Sequence, residues 1–141
     1  MKHLLKYLLA AAALLLWGQA AAAGPFGQLR GLCEPGKSVL LTAPTVVEGI
    51  VVSDFHSKNM EANPSVSYDK VDVTVNDCTA YLESPDGRYG FRLRFDTPED
   101  NVLARGTRLS LSLSGTVLTR EENPERYTIS SLVGENMVES A

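Results

Sequence analysis

TAYLESPDGRYGFRLRF, residues 79–95, is the stretch from which the rest of the chain is read outward. Thr79–Ser84 is β-prone, Tyr89–Phe95 alternates, and Pro85-Asp86-Gly87-Arg88 lies between them. Asp-Gly between two such runs is the strongest short hairpin signal, because glycine tolerates the positive φ that a tight reversal requires. On the return run Tyr89, Phe91, Leu93 and Phe95 share one face, and Gly90, Arg92 and Arg94 share the other. That split arises because successive strand side chains point to opposite sides.

Upstream, Val46–Ser53 (VVEGIVVS) is rich in β-branched residues and carries Gly49 inside it. A glycine within such a run marks a bulge or tight bend, which barrel closure needs. Val71, Val73 and Val75 alternate with Asp72, Thr74 and Asn76, the period of a half-buried strand. Between these runs Asp54–Asp69 is polar and reads as a long loop; such loops in small domains are often functional. Gly24–Lys37 has glycines, prolines and little pattern, and reads as a lead-in.

Downstream, Asp96 or Thr97 suits a cap, Pro98 suits the first helical position, and Glu99 and Asp100 suit the first turn, so one short helical turn is expected. Leu109, Leu111, Leu113 and Val117 then alternate with Ser110, Ser112, Ser114 and Thr116. Strict alternation outweighs the modest strand preference of leucine. Glu121–Glu125 is a polar turn, and Tyr127–Leu132 is the last strand. The order predicts an all-β chain: a five-stranded, OB-like Greek-key barrel over residues 38–133, with one short helical turn between strands three and four. An immunoglobulin-like sandwich wants about seven strands and no helical turn at that place. Phe91, Leu93, Leu111 and Ile129 are expected in the core. Residues 134–141 read as a C-terminal tail.

The first 23 residues have a different logic. Lys2, His3 and Lys6 form a basic start, Leu8–Trp17 is an apolar run, and Ala21, Ala22 and Ala23 supply the small residues of a peptidase site. This is the pattern of a cleavable secretory signal peptide, a helix too short to span a bilayer, which needs about 20 apolar residues. Cys33 is not a lipidation site, because Arg30 and Leu32 stand where an apolar and a small residue are required. Cleavage removes Lys2 and Lys6 and no acid, so the formal charge of −4 falls to −6 over about 118 residues, one domain's worth. The expected destination is the periplasm, the cell surface or the exterior. An oxidising compartment permits a disulfide between Cys33 and Cys78, which would contribute about 4 kcal/mol in the chain-entropy account. Two separate thiols are the equal alternative.

VVEGIVVSD (Val46–Asp54), TAYLESPDGRYGFRLRF (Thr79–Phe95) and GTRLSLSLSGTV (Gly106–Val117) together resemble a domain-of-unknown-function family. Its members are OB-fold-like modules in exported and surface proteins of Gram-negative gut bacteria. The resemblance covers roughly residues 38 to 133. It implies a barrel and export, and its motifs carry no chemistry. Such modules are often followed by further domains, so a short relative or the N-terminal piece of a longer protein is expected.

No phosphate-cradling glycine loop and no Gly-x-Ser-x-Gly is present, and no cofactor motif. Beyond the leader there is one histidine, His56. Asp54 and His56 supply two ligands of the three or four that a metal site needs, so a metal-assisted hydrolase is a minor alternative. Asp96, Glu99 and Asp100 match no calcium-loop spacing. The strongest constellation is the outward face of the hairpin: Arg88, Arg92 and Arg94 with Tyr81 on the partner strand. Strands two and three are the usual ligand platform of OB folds, and arginine and aromatic side chains grip anions and stack on rings. The long loop, with Phe55 and Tyr68, is placed to close over it. A solvated strand face is the plainer reading. The acidic balance weighs against single-stranded nucleic acid, leaving a glycan or a protein as the expected partner of a non-catalytic module.

Overall fold

The computed structural model describes residues 25–55 and 73–138. The signal-peptide region, His56, Tyr68 and most of the long loop lie outside these residues. The chain divides into two units after Leu32. In the first, residues 25–31 are helical, where the sequence suggested only a patternless lead-in. Pro25 has the φ and the missing N–H that suit the first helical position. In the second unit all the described strands belong to one sheet.

The sheet is mixed and holds, among the described residues, eight strand segments rather than the expected five. They are β1 (Ser38–Leu41), β2 (Val46–Val51), β3 (Thr79–Glu83), β4 (Gly90–Phe95), β5 (Arg108–Ser112), β6 (Thr116–Glu121), β7 (Arg126–Leu132) and β8 (Met137–Val138). Their order is β1-β6-β7-β4-β3-β2-β5-β8. All pairs are antiparallel except β4 with β7, which run parallel. None of the described helices is long and apolar enough to cross a membrane.

Of the extra segments, β1 precedes the first run read from sequence, β8 lies in the expected tail, and one comes from a kink. The alternating stretch after Gly106 breaks at Leu113–Gly115 into β5 and β6. Gly115 adopts φ +82°, a conformation that costs other residues energy. The kink adds one residue and inverts the parity of β6, because a one-residue slip flips every side chain. Thr116 therefore points inward, fully buried, with its hydroxyl donating to the Leu113 carbonyl at 2.6 Å. Val117, expected inside, is half-buried. Pairing continues across the break: Leu113 N–H donates to Thr45 O and Gly115 N–H to Leu41 O, both at 2.8 Å. β1 lies on β6 while β2 lies on β5.

A second bulge sits in β7. Ser131 has φ 58°, and the register against β4 shifts so that Phe95 faces Leu132. Leu132 is thereby fully buried. Gly49 serves a third tight place. A Cβ there would lie 2.7 Å from Glu83 O and 2.8 Å from Leu82 Cγ, so β2 can cross β3 only with glycine.

The interior is built by Val47, Val51, Leu82, Phe91, Leu93, Phe95, Leu111, Leu113, Leu118, Ile129 and Leu132. The four expected core residues are among them. Each such side chain contributes about 1.5–3 kcal/mol on burial. The hairpin forms as read. Gly87 takes φ 74°, and its N–H donates to Ser84 O at 2.9 Å. Asp86 accepts from the Ser84 hydroxyl at 2.6 Å and from Arg88 N–H at 3.1 Å. Those two bonds, the hydroxyl first, hold its carboxyl below the ordinary aspartate value.

Two further expectations fail. Val73–Asp77 is a helical turn rather than part of a strand. Cys78 N–H donates to Thr74 O, and the Thr79 hydroxyl donates to Val75 O at 2.6 Å. These local bonds override a β-branched pattern whose preference depends on context. The tail is not loose either. Gly134–Asn136 forms a 3₁₀ turn and β8 pairs with β5. Asn136 is buried, and its amide donates to Ser112 O at 2.8 Å. The short turn at Pro98–Asp100 is where the sequence put it, with Thr97 at the cap position. There the Thr97 hydroxyl donates to Asp100 Oδ2 rather than to a cap.

Candidate functional site

The outward face of β3 and β4 carries the residues singled out by sequence. Tyr81 stands opposite Arg92, and Thr79 opposite Arg94. Across β7 and β6 the row continues through Thr128 and Thr119 to Ser38, whose hydroxyl is 2.9 Å from that of Thr119. Arg92 is not an open contact on this face. It is 8% exposed, its Nε donates to Thr128 Oγ1 at 2.9 Å, and its NH2 group pairs with Glu121 at 3.2 Å. A buried guanidinium is tolerated only with such partners, so Arg92 is a structural cation. Tyr81 and Arg94 are half-buried. Arg88 is separate from them. It sits in the hairpin turn, exposed, 3.9 Å from Asp86. The expected trio of arginines thus does not form one accessible surface.

The two cysteines are unbridged thiols. Cys33 Sγ donates to Lys37 O at 3.0 Å beside β1 and β6. Cys78 precedes β3, where its carbonyl accepts from Phe95 N–H. The register explains the separation. β7 runs from the Cys33 end of the sheet, at Tyr127, to the Cys78 end, at Leu132.

These two ends differ. At the Cys33 end, Arg120 lies over the Tyr127 ring, with Cζ 5.5 Å from its centroid. Arg120 Nε bonds Glu122 at 2.8 Å, NH2 lies 3.6 Å from Glu125, and NH1 reaches Cys33 O at 3.4 Å. The Tyr127 hydroxyl donates to Glu125 at 2.7 Å, and its ring meets Phe91 edge-on. Desolvation opposes the Arg120 charge, but the Glu122 bond and the charges of Glu122 and Glu125 outweigh it and raise its pKa.

At the Cys78 end a cleft of about 200 Å³ opens, lined by Phe55, Asp77, Pro98 and Asn101. Three separate segments bring these together. Phe55 N–H donates to Leu103 O at 3.2 Å and fixes the exit from β2. Asn101 ends the 3₁₀ turn and its Nδ2 donates to both Asp77 O, at 2.8 Å, and Thr79 O, at 3.1 Å. Two carbonyls at the amide nitrogen settle which way the side chain is turned. Asn101 is 5% exposed, and its Oδ1 has no hydrogen-bond partner among the described residues. A buried acceptor left so costs about 1–3 kcal/mol.

Of the residues expected from sequence, Phe55 is the one that lines the cleft among the described residues, and Tyr68 lies outside them. Asp77, Pro98 and Asn101 were missed as site residues. Pro98 reads as a helix start, and the role of Asn101 depends on carbonyls more than 20 residues away in sequence. His56 lies outside the described residues, so the Asp54–His56 pair is not placed. Among the described residues no three His, Cys, Asp or Glu side chains are grouped to hold a metal.

No protein-family profile, no curated protein and no solved structure matches this chain.

Proposed function

We propose that this chain is an exported, non-catalytic binding module on a five-stranded OB-type barrel, and that its ligand, a glycan or a protein, is held at the Cys78 end. The barrel reading takes β1 with β2, and β5 with β6, as two long bent strands. It is supported by the pairing of β1 with β6 and β2 with β5, by the parallel β4–β7 pair, and by the 3₁₀ turn between β4 and β5. In that scheme the sheet closes on itself through the kink at Leu113–Gly115, and the long loop after β2 joins strands one and two. The kinship with the exported OB-like modules of Gram-negative gut bacteria is part of the same proposal, as is removal of residues 1–23.

The observation that carries the binding site is the cleft, with an aromatic wall and a buried acceptor lacking a donor. Recognition sites combine an apolar wall with a few fixed polar atoms. At about 200 Å³ this one suits a single ring or side chain of a larger ligand. The arginine face is the weaker candidate, because Arg92 is committed to Thr128 and Glu121.

The test is a binding screen of the purified chain against a glycan panel, exported proteins of the host and single-stranded DNA, each at low and high salt. The reading expects binding to a glycan or protein that Phe55→Ala weakens and Arg88→Ala does not. Binding only to DNA, with log affinity falling linearly in log salt, would overturn it. N-terminal sequencing of the exported protein tests processing: a start near Gly24 is expected, and a retained Met1 contradicts it.

A further inference from the structure

We propose that a second copy of this chain docks on the outer edge of β1, as an antiparallel strand related to it by a two-fold axis at Leu40. β1 stands at one end of the strand order, with β6 as its one described neighbour. In an antiparallel pair, alternate residues turn their N–H and C=O toward the partner strand. Lys37 O accepts from Arg120 N–H at 3.0 Å, and Leu41 O from Gly115 N–H at 2.8 Å. The odd-numbered positions therefore serve β6. The N–H and C=O of Ser38 and Leu40 turn to the outer side, where the described sheet has no further strand. The Leu40 side chain is 62% exposed, more than any other large apolar side chain among the described residues. Opposite it in β6 lies half-buried Val117.

Sheet edges are commonly closed to other chains by a lysine, a proline or a bulge within the strand. β1 reads Ser-Val-Leu-Leu, and its register against β6 is unbroken. The other edge, β8, is two residues long and is flanked in the chain by Glu135 and Glu139. Two copies meeting there would oppose like charges. Charge selects β1 instead, because residues 38–47 carry none in a chain whose formal charge is −4.

With the axis at Leu40, Ser38 faces Thr42 of the second copy and Lys37 faces Ala43, so no like charges meet. The two Leu40 backbones exchange both hydrogen bonds, and an apolar row runs Val117–Leu40–Leu40–Val117 across the axis. Pro44, with no N–H, ends the pairing. Both copies use the same patch, so the contact closes at two chains.

The experiment is sedimentation velocity of the purified chain from micromolar to millimolar concentration, with hydrogen exchange followed at the Leu40 and Val39 amides. The mass should rise from one chain to two, and high salt should leave that rise unchanged. Exchange at Leu40 N–H should slow as concentration rises, while exchange at Val39 N–H, which faces β6, should not. Leu40→Lys, at an exposed position, should keep its circular dichroism and stay single at every concentration. Val138→Lys, on the other edge, should still pair. A dimer that survives Leu40→Lys, with Leu40 exchange unchanged, overturns the proposal. Mass that grows past two chains does the same, because it means open stacking of edges. So does a wild-type chain that stays single. That includes the case in which the blocked peptide Lys-Ser-Val-Leu-Leu-Thr slows Leu40 exchange, which would assign the edge to a strand of another protein. Should Leu40→Lys fail to fold, the wild-type exchange still decides. None of these measurements involves the cleft at the Cys78 end, so the two readings stand or fall separately.

Discussion

The two ends of the sheet use similar residues to opposite effect. At one, Arg120 is bonded by Glu122, Glu125 and Cys33 O and stacked on Tyr127, so the polar groups there satisfy each other. At the other, Asn101 spends its amide nitrogen on two backbone carbonyls and leaves its oxygen buried without a donor. Buried polar groups are nearly always paired, and exceptions in native proteins gather where a ligand or an unseen partner belongs. Local completeness at one end and incompleteness at the other is the contrast on which the proposed site rests.

The largest effect tests whether both ends belong to one cooperative unit. Leu111 is fully buried between Val47 and Met137. Leu111→Asp puts an unpaired charge there, costing several kcal/mol, and should unfold the domain. Loss of near-UV circular dichroism and of a thermal transition is the expected result. A folded variant would mean that the strand faces are misassigned.

The next effect separates the arginine face from the cleft. Arg92→Ala removes the donor to Thr128 and Glu121 and should cost about 2 kcal/mol in urea denaturation. Ligand affinity of the folded fraction should be unchanged. Arg88→Ala should alter neither. At the open end, Asn101→Ala leaves the carbonyls of Asp77 and Thr79 without their shared donor but removes the orphan oxygen. The two contributions partly offset, so about 1 kcal/mol is expected, together with loss of binding.

The smallest effect lies away from both ends. Asp86 has a folded pKa held below its unfolded one, first by the Ser84 hydroxyl and then by Arg88 N–H. Its carboxylate therefore stabilises the hairpin above the unfolded aspartate value, and that contribution is lost as pH falls through the folded one. Asp86→Asn should be slightly less stable at neutral pH, and the gap should close in acid. Thermal melts across that range would show it.

Much of the fold is legible in the sequence, because alternation and turn chemistry are local. The hairpin at Pro85–Arg88, the turn at Pro98 and the inward Phe91, Leu93, Leu111 and Ile129 are set by spacing alone. What alternation cannot show is where parity inverts. Gly115 is visible, yet reads as the end of a pattern rather than the residue that turns Thr116 inward. At Val73–Asp77 the local bonds of Thr74 and Thr79 override the pattern. The site is less legible. Arg92 looks outward because strand geometry places it so, and its burial depends on partners from β6 and β7. Asn101 becomes a site residue only when folding places Asp77 and Thr79 against it.

One titration sets the two ends side by side. Adding the glycan or protein that the binding screen identifies to the ¹⁵N-labelled chain reports on the Asn101 side-chain amide and the Arg120 Nε–H in a single spectrum. The account predicts that the Asn101 signals shift and saturate while the Arg120 signal, held by Glu122, stays where it is. A moving Arg120 with a still Asn101 would contradict it, and would place the receptive end of the sheet at Tyr127 instead.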